Sequence, residues 1–311
     1  MKKKNLILLL NILLVVILYF LFKYISLLAF LKPAHPEFSD LIKATNKIML
    51  QKSYEDFYRY EEYRPTEYPN SNEKPIVILG CSFAQGISSE KLKDNETISY
   101  LLGQKLVEKR PVLNRALWAT GIQAMIWQFT SGEIQKLVNK EPELVIYVLI
   151  NDIERRLYME ACPWHKSAFY KDNQDDSISL IKNPLHYSYL SVLYRDYLFK
   201  SKTGNYYKLS DEEKFNFLRK HFLYLKNEVR KQWKDTKFLI LYYHDERINE
   251  YIKTLEKDGF DVIYLSEITP EGFVQNPKYR VSEFDAHPTK EAWEVIVPNL
   301  YKEISNRYNI E

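Results

Sequence analysis

The sequence predicts a doubly wound α/β fold, a parallel sheet with helices on both faces, and three observations carry that prediction. From Lys74 onward, short runs rich in Val, Ile and Leu alternate with amphipathic stretches, the pattern of strands joined by crossover helices. The run Leu144 to Ile150 is apolar throughout, as a strand covered on both faces requires. The first such run lies in Val77-Ile78-Leu79-Gly80-Cys81-Ser82-Phe83-Ala84-Gln85-Gly86 and stops abruptly at a Gly-x-Ser. A strand ending there delivers a hydroxyl to the carboxyl edge of the sheet, where open α/β folds bind their ligands.

The chain begins with Met1-Lys2-Lys3-Lys4 and an uncharged run from Asn5 to Phe22; Lys23 interrupts, and Tyr24 to Leu31 is apolar again. A helix needs about 20 residues to cross a bilayer, so this stretch suffices if Lys23 snorkels. It is longer than the apolar core of a cleaved signal peptide, and no Ala-x-Ala site follows. Residues 1–32 therefore read as an uncleaved signal anchor, a single transmembrane helix. Three lysines before it favour a cytoplasmic N-terminus, with the rest of the chain outside the cytoplasm. Residues 33–74 are rich in Pro, Tyr and Glu, as in Tyr63-Arg64-Pro65-Thr66-Glu67-Tyr68-Pro69, and read as a tether plus an irregular arm packed on the domain.

Residues 75–311 then form one domain. Pro75 to Gly80 is its first strand, and Gly80 and Gly86 permit a tight exit and a close backbone approach around Ser82. Thr97 to Glu108 carries Ile98, Leu101, Leu102 and Leu106 at helical spacing, with Asn95 or Thr97 as N-cap. Val112 to Asn114 is a second strand, Gln123 to Val138 a second helix and Leu144 to Ile150 the central strand. Phe238 to Tyr243 and Val262 to Leu265 are further strands, Asp245 to Lys257 is the helix between them, and Lys290 to Asn306 closes the chain. The segment of about 153–208 breaks the alternation; it reads as an insertion, either lid or packed decoration, with an aromatic helix near Tyr187 to Phe199.

Composition narrows the function. Among 311 residues 46% are hydrophobic, which supports a globular core, and the net charge of +3 without a basic stripe argues against a nucleic-acid partner. Two cysteines, Cys81 and Cys162, make no disulfide framework, though one bridge stays open. His35, His165, His186, His221 and His244 have no metal-ligand spacing, and the eight glycines form no phosphate loop. No metal or cofactor is expected.

Four patches fall at strand ends or before a helix, where they can converge on one edge: Ser82; Asn114-Arg115-Ala116-Leu117-Trp118-Ala119-Thr120-Gly121; Asn151-Asp152; and Asp285-Ala286-His287-Pro288-Thr289. A serine hydroxyl needs a base within hydrogen-bond reach. His287 is suited to take the Ser82 proton and return it to a leaving group, with Asp285 on the same side of an extended loop to hold the tautomer. Taken singly, His287, Asn151 and Asp285 also read as a helix start, a strand-end cap and a turn former. Their joint order is what points to chemistry.

That order resembles the SGNH (GDSL-like) hydrolases over about residues 75–305, excluding the insertion. Cys81 stands where the family usually has Asp, Ala119 aligns with the second-block glycine, and Leu149 replaces the glycine of the third block. The resemblance implies a three-layer, flavodoxin-like fold, an acyl-Ser82 intermediate, and catalysis by Ser82, His287 and Asp285. It implies an oxyanion hole from the Ser82 and Ala119 amides and the Asn151 side chain, with Gly121 as the alternative to Ala119. A thiol nucleophile at Cys81 would abandon every other match. The implied partner is an acyl ester, for an anchored enzyme an acetylated cell-envelope glycan. An O-acetyltransferase using the same residues and a non-catalytic envelope scaffold are the alternatives.

Overall fold

The computed structural model describes residues 13–21, 64, 68, 70–87, 91–117, 120–150, 157, 169–173, 177–181, 209–243 and 249–310. The chain divides into two units, residues 1–60 with 183–197, and residues 61–182 with 198–311. In the first, residues 13–21 are helical with exposed side chains. Among the described residues no helix is long and apolar enough to cross a membrane.

The second unit is built on five parallel strands: β1 (Ile76–Gly80), β2 (Val112–Asn114), β3 (Leu144–Leu149), β6 (Lys237–Tyr242) and β7 (Asp261–Tyr264). Their order across the sheet is β2-β1-β3-β6-β7. The register runs from Ile78 beside Asn114, through Gly80 beside Val148, to Tyr242 beside both Leu149 and Tyr264. All five carboxyl ends therefore lie along one edge. The chain leaves β1 for one neighbour and returns to the other, so the end of β1 is the topological switch point, where such sheets open a crevice.

Every residue of β1 and β3 is buried, and the pleat sends alternate side chains to opposite faces. Val77, Leu79, Val145, Tyr147, Ile240 and Tyr242 pack on one face with α3 (Ile122–Thr130), α5 (Asp211–Gln232) and α6 (Asn249–Lys257). Ile76, Ile78, Ile146, Val148, Leu239 and Leu241 pack on the other with α1 (Ser82–Gln85), α2 (Ile98–Lys105), α7 (Leu265–Ile268) and α8 (Lys290–Tyr308). Three layers result, with a core on each side of the sheet.

Two helices differ from the sequence reading. The helix expected over Gln123 to Val138 is broken into α3 and α4 (Glu133–Leu137), because Gly132 takes a left-handed φ of 79° between them. The 22-residue helix α5 was not anticipated. Its start is a capping box, with the Glu213 amide donating to Ser210 Oγ at 3.1 Å and the Ser210 amide donating to Glu213 Oε2 at 2.8 Å. Phe215, Leu218, Phe222, Leu225 and Val229 form its buried stripe. Elsewhere Thr97, not Asn95, caps α2. Residues 244–248 lie outside the described residues, as does the helix expected near Tyr187 to Phe199. Within the insertion, β4 (Phe169–Asp172) and β5 (Ile178–Ile181) form an antiparallel hairpin. Leu157 and Ile178 from this segment are buried in the core beneath α5.

Candidate active site

The position of Ser82 is built by the way β1 ends. Gly80 has φ 143°, and a Cβ there would sit 3.0 Å from the Val148 carbonyl oxygen and 3.3 Å from the Ala84 Cβ, so a side chain would strain the backbone and crowd the neighbouring strand. The chain turns at Cys81 into the four-residue helix α1, whose first residue is Ser82. The Ser82 amide, as the first of a helix, has no intrahelical acceptor. Cys81 is a buried free thiol packed in the α2/α8 core; Cys162 lies outside the described residues. Gly86 closes α1 in the left-handed region at φ 71°, its amide donating to the Ser82 carbonyl at 2.8 Å.

Ser82 is 2% exposed, and its Oγ lies 2.7 Å from His287 Nε2. On the other side of the ring, Asp285 Oδ1 is bonded to His287 Nδ1 and also accepts from the His287 amide at 3.1 Å. A proton on Nδ1, donated to the carboxylate, leaves the Nε2 lone pair facing the Ser82 hydroxyl. The imidazole lies 4.4 Å, centroid to centroid, from the Phe83 ring, which meets Tyr243 edge-on at 5.2 Å. One side of the imidazole is thus apolar, and burial pushes the Tyr243 phenol well above its ordinary range.

The loop holding Asp285 and His287 is short and cross-tied. Arg280 and Pro288 form a β-bridge, the Val281 amide donates to the His287 carbonyl at 3.0 Å, and the Thr289 amide donates to the Tyr279 carbonyl at 3.3 Å. Thr289 Oγ1 then accepts from the Ala292 amide at 3.3 Å, capping α8. The loop's geometry is therefore continuous with a long helix whose inner face is buried. Phe284, beside Asp285, is 91% exposed.

The second patch is anchored by Asn114, which is fully buried. Its Nδ2 donates to the Ala84 carbonyl at 2.7 Å, and its Oδ1 accepts from the Ala116 amide at 3.1 Å. The end of β2 is thereby tied to α1, and the Leu117 amide donates to the Gly80 carbonyl at 3.1 Å. Gly121 is the extended N-cap residue of α3. Ala119 and Asn151 lie outside the described residues.

A further contact had no sequence signal. Arg64, in the arm, is 4% exposed and reaches α1, donating from Nε to the Gln85 carbonyl and from Nη2 to the Gly86 carbonyl, each at 2.8 Å. Among the described residues no group of three His, Cys, Asp or Glu side chains could hold a metal ion.

No family model matches the chain, and no curated protein matches it in sequence. In structure it is similar to a family two carbohydrate esterase from Clostridium thermocellum, at 12% identity and TM-score 0.47, covering 78% of this chain and 66% of that one. It is similar to an acetyl xylan esterase from the rumen bacterium Butyrivibrio proteoclasticus, at 10% identity and TM-score 0.45, covering 76% and 65%. A Desulfitobacterium hafniense protein described as lipolytic and of the G-D-S-L family matches at 11% identity and TM-score 0.42, covering 74% and 99%. The chain spans just under two thirds of the length of both esterases. The residue assignments rest on the geometry above, not on these likenesses.

Proposed function

We propose that this chain is a serine hydrolase of the SGNH type that cleaves an acyl ester through an acyl-Ser82 intermediate. The observation that carries the reading is the relay from Ser82 Oγ to His287 Nε2 at 2.7 Å and from His287 Nδ1 to Asp285. Ser82 Oγ attacks the ester carbonyl carbon while its proton passes to Nε2. The tetrahedral intermediate collapses as Nε2–H protonates the departing alcohol oxygen. Water then loses a proton to Nε2 and attacks the acyl-serine, and the same proton returns to Ser82 Oγ as the carboxylic acid leaves. Asp285 holds Nδ1–H throughout and stabilises the imidazolium.

The developing oxyanion requires preorganised donors, each contributing about 10²–10³ in rate. We assign these to the Ser82 amide, the Asn151 side chain and the amide of Ala119, or of Gly121 in its place. The run Asn5–Phe22 and the preceding lysines support an anchor with the catalytic unit outside the cytoplasm. In that compartment an acetyl ester on a cell-envelope glycan is the substrate class we infer.

Hydrolysis of acetyl and longer-chain esters and of acetylated glycans by the full chain tests the assignment. Turnover and fluorophosphonate labelling should disappear in Ser82→Ala, whose fold should persist. A Ser82→Ala protein as active as the wild type would end the mechanism. Carbonate washing of membranes tests the anchor; protein released by the wash would count against it.

A further inference from the structure

We propose that Arg64, which precedes the first strand, is a positioning residue of the nucleophile turn. This rests on the hydrolase reading of Ser82.

Helix α1 is only four residues long, and so short a helix has little stability of its own. Its last carbonyls also lack intrahelical donors. Three consecutive carbonyls at its end are held instead by side chains from outside it. Asn114 donates to Ala84 at 2.7 Å, and the Arg64 guanidinium takes the next two, Gln85 and Gly86, at 2.8 Å each, the Gly86 carbonyl also accepting from the Leu92 amide at 3.0 Å. The third arm of the guanidinium, Nη1, meets Asp94 Oδ1 at 2.7 Å. Asp94 is 57% exposed by side chain whereas that of Arg64 is 3% exposed, and an ion pair with so exposed a partner stabilises little. The directional content of the contact is therefore the two-carbonyl fork.

A guanidinium presents several donors in a fixed plane, which a lysine ammonium cannot reproduce. Its positive charge also suits the carbonyl end of a helix. The backbone it grips is the backbone that orients Ser82, because the amides of Gly86 and Ile87 both donate to the Ser82 carbonyl, at 2.8 and 3.1 Å. The described bonds of Arg64 go to residues 85, 86 and 94 and to none of the strands. Its removal should thus loosen the nucleophile turn while leaving the sheet intact. Misplacement of a reacting group by about an ångström can cost 10²-fold in rate.

The test compares full-length wild type, Arg64→Ala, Arg64→Lys and Ser82→Ala on a chromogenic acetyl ester, with melting curves for each. Arg64→Ala should lower kcat by about 10- to 100-fold with KM within about twofold, and millimolar guanidinium should restore part of its kcat without affecting the wild type. Arg64→Lys should stay impaired, since one ammonium cannot span both carbonyls. Wild-type kcat in the Arg64 variants, or a loss that follows melting and ignores guanidinium, would overturn the role. If Arg64→Ala does not fold, Arg64→Lys decides by the same kcat and KM criterion. Turnover by Ser82→Ala equal to wild type would instead sink the hydrolase reading, and a dead Ser82→Ala beside fully active Arg64 variants sinks only the positioning role.

Discussion

Replacing Asp285 by Asn should cost far less than replacing it by Ala, and the reason lies in one oxygen atom. Both bonds described between His287 and this carboxylate, from the backbone amide and from ring Nδ1, end on Oδ1. An Asn whose carbonyl oxygen occupies that position accepts from both donors, keeps the proton on Nδ1 and leaves Nε2 facing Ser82. What disappears is the charge. A hydrogen bond to a charged group contributes about 1.5–3 kcal/mol against about 0.5–1.5 for a neutral one. That difference of about 1–1.5 kcal/mol, roughly tenfold in kcat, is the least the change should cost, because Asn also lacks the attraction of a carboxylate for the imidazolium formed in the transition state. Asp285→Ala removes the acceptor altogether, frees the ring to adopt the opposite tautomer, and should cost roughly 10³-fold or more. Steady-state ester hydrolysis by the two variants, with Ser82→Ala as the zero, measures the gap. Equal losses in Asn and Ala would refute the argument that a single neutral acceptor suffices.

Three further outcomes follow from other contacts. Asn114→Ala leaves the buried Ala84 carbonyl and Ala116 amide without their partners, at about 1–3 kcal/mol each, so the denaturation midpoint should fall by the equivalent of about 2–6 kcal/mol; a loss under about 0.5 kcal/mol would show those groups to be otherwise satisfied. His221 is buried in α5 and its pKa is pushed by desolvation from the usual 6.5 down to about 4. Its contribution is fully present above pH 6.5 and is lost as pH falls towards 4, because there the unfolded chain binds the extra proton; the loss is about 3 kcal/mol, and His221→Phe should flatten the stability-pH curve in that window. Asn151→Ala should lower kcat by about 10²–10³ with a smaller change in KM; loss confined to KM would make Asn151 a substrate-binding group instead.

The strands were legible because burial on both faces leaves an uninterrupted apolar run, as in Leu144–Leu149, with no competing pattern. The meeting of Ser82 with His287 followed from the same logic, since residues placed at strand ends of a parallel sheet share an edge. The helix break at Gly132 was harder to read, because a glycine in a helical pattern is often tolerated and its left-handed φ is a property of the fold. Helix α5 carried its signature openly in Ser210-Asp211-Glu212-Glu213, yet it follows the irregular insertion and its interior is strongly charged, which masks the buried stripe. Arg64 had no signal at all. It sits in a stretch without periodicity, and two backbone carbonyls it holds have no side-chain identity to read. Ala119 and Asn151, inferred from resemblance, lie outside the described residues.

Ser82 and His287 touch across 205 residues of chain. One comes from the first strand of the sheet and the other from the loop before its last helix. Bringing together ends so far apart carries a loop-closure cost that grows slowly with length, and contacts so distant in sequence slow folding. A growing chain therefore carries a serine with no histidine beside it until the segment around residue 287 is made. Conversely, release of the cross-tied loop before the last helix would separate His287 from Ser82 while the buried strands kept their packing. The chemistry would then depend on the completed fold and on no single strand-helix segment of it.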